Sequence, residues 1–268
     1  MGTASANWAM QACLSNWRYA TACSKLCKYL NQPGLTMDSN RRKALLSLLA
    51  LPAGCTIQPL GPVRSEPLAG PASTPPIRPP ALGQSWTYQK FNGYNSALVA
   101  TEREEITALE PRIILRRKTD AGLLLAEEHH QQWGQVLREP TWDFVQNYVE
   151  AVPLWPQSLA IGATSSIHTH YRLDDFSFRF WINVQTVVKA WEKIYLPQGE
   201  FNALHIQRFI GLQHQDITRI STTRWDHLWL VPEIGRWAVR EISGDYRTSG
   251  RRGGGREDNF RWELTSWT

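Results

Sequence analysis

The sequence predicts an all-β fold, and three observations support this prediction. Apolar and polar residues alternate with period two over residues 176–185, as they do in a strand with one buried face. The same alternation returns at residues 225–231 and 260–265. Turn signals such as Asn92-Gly93 and Pro197-Gln198-Gly199 separate these runs. We therefore expect an antiparallel sandwich or an open barrel.

Two segments open in a similar way, which suggests that two β-meanders of similar length build the domain. Residues 83–88 (Gly-Gln-Ser-Trp-Thr-Tyr) begin the first half, and residues 161–164 (Ile-Gly-Ala-Thr) begin the second. Two such meanders can pack as a sandwich or curl into one barrel. Residues 141–152 are the best helical candidate, and we expect one short helix there.

Residues 37–55 have the three-part layout of a secretory signal. A basic head at residues 40–43 precedes an apolar run at residues 44–51, and small residues with a final cysteine follow at residues 52–55. The apolar run is far shorter than the roughly 20 residues that a membrane-spanning helix needs. The alternative is a short buried helix in a cytosolic β protein that carries a basic leader.

A cysteine directly after such a run resembles the lipobox of bacterial lipoproteins, in which the thiol is acylated and the chain is cut just before it. That family has Leu three residues before the cysteine, whereas this chain has Pro52 there and Leu51 one residue further back. The resemblance implies lipid attachment at Cys55 and a membrane partner through the lipid. By analogy with enteric lipoproteins, Thr56 rather than Asp after the cysteine implies the outer membrane, with the domain facing the periplasm.

The segments on either side of the signal are expected to lie outside the folded domain. Residues 1–36 are either an artefact of an early start codon or a poorly ordered extension. Residues 56–82 contain eight prolines, a composition that predicts an extended, semi-rigid tether. We expect the β-rich domain at residues 83–268.

Charge and cysteine usage narrow the classes of function. Residues 1–55 carry six basic side chains and one acidic one, so the rest of the chain is neutral, with 23 of each. Without surplus cations there is little counterion-release driving force, and we expect no nucleic-acid partner. Because no cysteine follows Cys55, the domain has no disulfide, zinc-thiolate site or cysteine nucleophile. We predict no cofactor.

Two histidines are the best candidates for chemistry. His168 and His170 lie on one face of a predicted strand, and Asp174 follows just beyond. A periplasmic hydrolase that uses these three residues is the alternative function, although the chain has no Gly-x-Ser-x-Gly motif to present a nucleophile. A metal site would need more ligands than these three residues supply, and we predict no metal site. Those ligands would have to come from His129, His130, His205, His214 or His227.

Tryptophan is abundant, with eleven residues after Cys55. Most should lie in the core, because an indole buries a large area. Trp181 instead falls on the polar face of its strand, with Arg179 and Asn183, and predicts a binding surface for a glycan, lipid or protein. The arginine- and glycine-rich residues 251–256 are interpreted as a flexible hairpin loop rather than a nucleic-acid segment.

Three stretches resemble a loose group of uncharacterised bacterial periplasmic proteins and lipoproteins. Residues 191–201, WEKIYLPQGEF, are similar to its E-x-V-x-V-P-A-G-x-F hairpin. Residues 229–241, WLVPEIGRWAVRE, are similar to the W-x-x-P-x-x-G-x-V-x-x-E hairpin that follows, with Trp237 where the group has Val. Residues 83–88 are similar to its opening strand. The resemblance covers roughly residues 83–267 and implies an all-β envelope domain, but no reaction.

These observations together predict an exported, lipid-anchored envelope protein. We expect it to act as a non-enzymatic binding or structural module and to bind a protein, lipid or glycan partner.

Overall fold

The computed structural model describes residues 58–250 and 253–268, which form fourteen β-strands and one short 3-10 turn at Pro232–Ile234. The all-β prediction is therefore confirmed. No helix within these two ranges is long and apolar enough to cross a membrane. The strands are β1 (Ser65–Leu68), β2 (Ser85–Asn92), β3 (Leu98–Ala108), β4 (Ile113–Thr119), β5 (Leu124–Gln132), β6 (Gln135–Glu139), β7 (Gln146–Pro153), β8 (Thr164–Arg172), β9 (Phe180–Leu196), β10 (Gly199–Leu212), β11 (Arg219–Val231), β12 (Arg236–Thr248), β13 (Gly254–Arg256) and β14 (Phe260–Trp267).

Twelve of the strands close into one antiparallel barrel. Neighbouring strands follow the order β9, β10, β11, β12, β14, β2, β3, β4, β5, β6, β7 and β8, and β8 pairs back onto β9. The short strands β1 and β13 pair with β9 and β12 beside this ring. A sheet that closes on itself has no free edges within the ring. The predicted sandwich or open barrel is thus corrected to a closed barrel. The strand pairing around this barrel does not divide it into the two predicted β-meander halves.

The alternation that predicted strands is seen most clearly in β9. Its residues alternate between buried and more exposed from Phe180 to Val188, and Phe180, Ile182, Val184 and Val188 are turned inward. The prediction that this strand begins at residue 176 is wrong. Phe176 and Phe178 are 50% and 57% exposed and lie in the loop before β9, where the Phe176 amide bonds the carbonyl of Leu173.

The short helix predicted at residues 141–152 is also wrong, because β7 occupies Gln146–Pro153. Tyr148 and Val152 on this strand are buried in the barrel core. The β6–β7 ladder contains a register shift between Val136 and Arg138, which interrupts the period-two pattern of both strands. An interrupted alternation is hard to distinguish from a helical one, whereas the β-branched and aromatic residues of this segment suit a sheet.

Residues 58–82 form a strap along the outside of the barrel rather than a free tether. Leu68 and its neighbours in β1 pair with residues 191–194 of β9, and the Arg78 amide donates to the Pro232 carbonyl at 2.8 Å. Val63 and Ile77 pack against the core. The boundary predicted at residue 83 is therefore wrong for the described part of the segment. The predicted leader, the signal and Cys55 lie outside the described residues.

Candidate functional site

A groove of about 800 Å³ crosses the outer face of the barrel over strands β8 to β11. The strand register brings one residue from each strand into a row across it: Ser166 lies opposite Gln185, Gln185 opposite Phe209, and Phe209 opposite Trp225. The Phe209 and Trp225 rings are 4.7 Å apart between centroids, and Trp225 is 38% exposed. The remaining lining residues are Thr164, Ser165, Thr186, Val187 and Gln207, so the lining carries no charge.

The predicted binding residues lie beyond one end of this groove. Trp181 is the second residue of β9 and is 40% exposed on the outer face, against Gly211 of β10. Asn183 follows on the same face, opposite Gly211. Arg179 is exposed in the loop just before the strand. The three residues are neighbours in the chain, and Trp181 and Asn183 share one surface with the row of Ser166 and Trp225.

The residues of the alternative hydrolase do not form a catalytic arrangement. His168 and His170 are exposed on β8, with 6.2 Å between their ring centroids. The Asp174 carboxylate is bound by both terminal nitrogens of Arg138, at 2.7 and 2.8 Å, and by the Asn147 amide at 2.9 Å. The hydrogen bond from Arg138 is the main reason that the pKa of Asp174 falls to about 2. The carboxylate is thus held by an arginine and not by either histidine.

Among the other histidines considered as ligands, His205 and His227 meet on the outer face. Nε2 of His205 lies 3.0 Å from Nδ1 of His227, and Nδ1 of His205 lies 3.0 Å from the Glu192 carboxylate. The Trp229 indole donates to the second oxygen of Glu192 at 2.8 Å and stacks on His205. Burial lowers the pKa of His205. Glu192 and His227 thus occupy both ring nitrogens of His205. The three residues form a hydrogen-bonded chain rather than a set of free metal ligands.

The barrel interior contains buried ion pairs that the sequence analysis did not predict. Asp226 accepts hydrogen bonds from Arg240 at 2.8 and 2.9 Å and is also paired with Arg208. Arg240 extends the network to Glu139, whose other oxygen accepts the Tyr148 hydroxyl at 2.8 Å. All four charged side chains are at most 1% exposed. We call these residues the Asp226 cluster.

A second set of interior charges surrounds Arg236. Its guanidinium lies 2.7 Å from Glu104 and 3.1 Å from Glu128, beneath the rings of three tryptophans. His130 bonds Glu128 through Nε2 at 2.7 Å, while its Nδ1 accepts the Gly134 amide, so Nε2 carries the proton. Burial raises the pKa of Glu128, but Arg236 and His130 outweigh burial, and the pKa lies well below its ordinary value.

A cavity of about 430 Å³ opens at the end of the barrel where β6 connects to β7, and Arg224 of β11 is among its lining residues. Asp143, His214 and Glu257 lie beside Arg224 with one potential metal ligand each, within 4.8 Å of one another. Arg224, however, already bonds Glu257 through Nε and Asp143 through Nη2 at 2.8 Å. Nδ1 of His214 accepts the Asp216 amide, so its Nε2 donates to Asp143. Both carboxylates of the cluster are thus already paired with the Arg224 guanidinium, and the cluster fits an ion-pair network.

No protein-family model and no curated protein matches the sequence. The fold is similar to that of a "putative lipoprotein" from Parabacteroides distasonis ATCC 8503, with a TM-score of 0.45 and 10% identity over 71% of this chain and 97% of that one. It is also similar to the hypothetical lipoprotein YmcC from Escherichia coli K12, with a TM-score of 0.41 and 10% identity over 69% and 84%. One neighbour is thus described as a putative lipoprotein and the other as a hypothetical one. At this identity and TM-score the likeness says nothing about a ligand or a reaction.

Proposed function

We propose that this protein is an exported, lipid-anchored module of the bacterial cell envelope that binds a glycan in the groove over β8 to β11. The observation that carries the binding role is the row of Ser166, Gln185, Phe209 and Trp225, which places hydroxyl and amide groups beside two aromatic faces. A concave surface that joins aromatic rings to a few polar groups is the usual form of a small-ligand site.

The neutral lining of the groove selects the class of ligand. A nucleic acid needs cations to replace its counterions, and the lining provides none. A lipid chain suits an apolar groove, whereas here Ser166, Gln185 and Gln207 present polar groups. A sugar ring has an apolar C–H face that can stack on an indole and hydroxyls that can bond amides. A neutral glycan therefore fits both parts of the lining.

The same lining favours binding over catalysis. Glycoside hydrolysis uses a pair of carboxyl groups, and general acid or base catalysis needs a titratable side chain within hydrogen-bond reach. The residues that line the groove include no Asp, Glu, His, Lys or Cys. We therefore propose a non-enzymatic role for this site.

The test compares two tryptophans of equal exposure. Trp225 lies in the groove and is 38% exposed, whereas Trp267 on β14 is 37% exposed and lies outside it. Binding of neutral hexose oligosaccharides would be measured by calorimetry for the wild type, Trp225→Ala and Trp267→Ala. Loss of a stacking aromatic should weaken binding about tenfold or more, so we expect this for Trp225→Ala alone. No binding by the wild type, or equal binding by the two variants, would overturn the proposed site.

A further inference from the structure

Six loops lie together at one end of the barrel, which we call the rim. Antiparallel neighbours reverse direction at each connection, so alternate connections share an end. Contacts between loops confirm the arrangement: the Tyr94 hydroxyl donates to the Glu257 carbonyl at 2.6 Å, and the Ser249 amide donates to the Thr218 carbonyl at 3.1 Å. The rim loops are residues 93–97, 120–123, 140–145, 173–179 and 213–218, together with the described residues 249–250, 253 and 257–259 on either side of β13.

Exposed apolar side chains are concentrated at the rim. Of the sixteen large apolar side chains that are exposed in the described residues, eleven lie in a rim loop or within two residues of one, and three lie at the opposite end. Ile217 is 93% exposed, and Leu124 and Ile220 are 67% and 65% exposed. Phe144 and Phe178 extend the surface over two more loops. Concentrated exposed apolar surface of this kind marks an interaction site.

Of the seven carboxylates in the described parts of the rim loops, four are paired with arginines (Asp143, Asp174, Asp216 and Glu257). The other three, Asp120, Asp175 and Asp258, have no ion pair among the described residues. Asp174 is held by Arg138, and Glu257 by Arg219 and Arg224. Asp143 is paired with Arg224. The four paired carboxylates can therefore approach an apolar occupant without a net charge of their own. This favours an apolar occupant over a highly charged one.

The position at which the strap begins indicates what covers the apolar surface of the rim. The Gln58 carbonyl accepts the Ser96 hydroxyl at 2.8 Å, and the Leu60 amide donates to the Gly93 carbonyl at 3.0 Å, so the strap begins against the first rim loop. Cys55 precedes Gln58 by only three residues. Three residues span at most about 10 Å. A lipid on Cys55 would hold the rim at a membrane surface.

We propose that the rim rests in the interfacial layer of a lipid bilayer, with its apolar side chains below the headgroups. The proposed lipid anchor selects the bilayer as the occupant, but the contact itself is made by side chains and does not need acylation. An apolar contact of this kind depends weakly on salt and on lipid charge. The barrel would sit directly on the membrane, in contrast to a domain held away from it by a tether.

The first experiment uses the full chain with Cys55→Ala, so that acylation plays no part. Flotation with vesicles of phosphatidylethanolamine and phosphatidylglycerol would compare a rim variant, Leu124→Gln with Ile217→Gln, with a control at the opposite end, Leu82→Gln with Ile161→Gln. The control leucine and isoleucine are 64% and 57% exposed. We expect the rim variant to lower the bound fraction about tenfold and the control to leave it unchanged. Equal binding by the two double variants would overturn the proposal.

The second experiment reports on the rim even if the apolar run at residues 44–51 also binds vesicles. The four native cysteines, all within residues 1–55, would be replaced by alanine, and a fluorophore would be attached to Ile217→Cys or to Ile161→Cys. Nitroxide-labelled lipids should quench the probe at 217 and spare the probe at 161. Equal quenching, or none at 217, would refute the docking of the rim. Neither result depends on acylation or glycan binding, so both leave the proposed function to its own tests.

Discussion

Asp226 and Arg240 form a bidentate ion pair inside the barrel, with the carboxylate oxygens 2.9 Å from Nε and 2.8 Å from Nη2 of the arginine. Both side chains are at most 1% exposed. Burial raises the pKa of Asp226, but the guanidinium groups of Arg240 and Arg208 outweigh burial, and the net effect lowers the pKa. The pair therefore stays charged in the core, and each partner is needed to neutralise the other.

The first prediction concerns removal of that carboxylate. Asp226→Asn leaves Arg208 and Arg240 buried with too little negative charge, and the loss of one partner of a buried pair costs about 3–5 kcal/mol of unfolding free energy. Urea denaturation followed by tryptophan fluorescence would measure this loss. The matched control is Glu200→Gln, which removes an exposed pair with Lys193 and should leave the unfolding free energy unchanged within error. Similar losses in the two variants would contradict the structure.

The position of Arg240 shows why such interior charges were not predicted. In the sequence it follows three consecutive apolar residues, 237–239, and precedes Glu241, so no period-two alternation marks it as inward-facing. The register of β11 and β12 shifts between Trp229 and Leu230, so that Arg236 to Arg240 are all buried. A bulge of this kind depends on the partner strand. One signal in the sequence could have predicted a buried charge. Arg208 lies two residues from both Ile206 and Ile210, and therefore on the apolar, inward face of its strand.

Features within one strand were easier to predict than features that join strands. The alternation of β9 was sufficient to place Trp181 opposite Phe180 and Ile182, and the structure has it on the outer face. The groove needs the registers of β8, β9, β10 and β11 together, because Ser166 and Trp225 are 59 positions apart. Barrel closure depends on the β8–β9 ladder. Distant pairings of this kind are not encoded in local periodicity.

The second prediction concerns acid pH. The pKa of Asp174 lies at about 2, below its ordinary value of 3.8, mainly because Arg138 donates hydrogen bonds to it. Because the folded pKa is lowered, the stability that this pair contributes is present above pH 3.8 and is lost as the pH falls from 3.8 towards 2. Asp174 is half exposed, so the contribution is small. Carboxyl-carbon NMR should show Asp174 titrating near pH 2.

The control for this titration removes the arginine. In Arg138→Met the Asn147 amide remains, but the main cause of the shift is lost, so the pKa of Asp174 should rise towards 3.8. An Asp174 pKa that does not change in Arg138→Met would refute the bidentate geometry.

The third prediction tests the anchor itself. Wild-type protein expressed in a bacterial host should be processed to a species that begins at an acylated Cys55, and intact mass should show the added lipid. Cys55→Ala should prevent processing and acylation, because the thiol is the group that takes the lipid. Carbonate extraction separates the anchor from the rim, since several acyl chains resist extraction whereas a surface contact does not. We therefore expect the wild type to remain in the membrane after extraction and Cys55→Ala to be released. An unprocessed wild-type chain of unmodified mass in the cytosol would overturn the envelope function, and with it the argument that selects a bilayer for the rim.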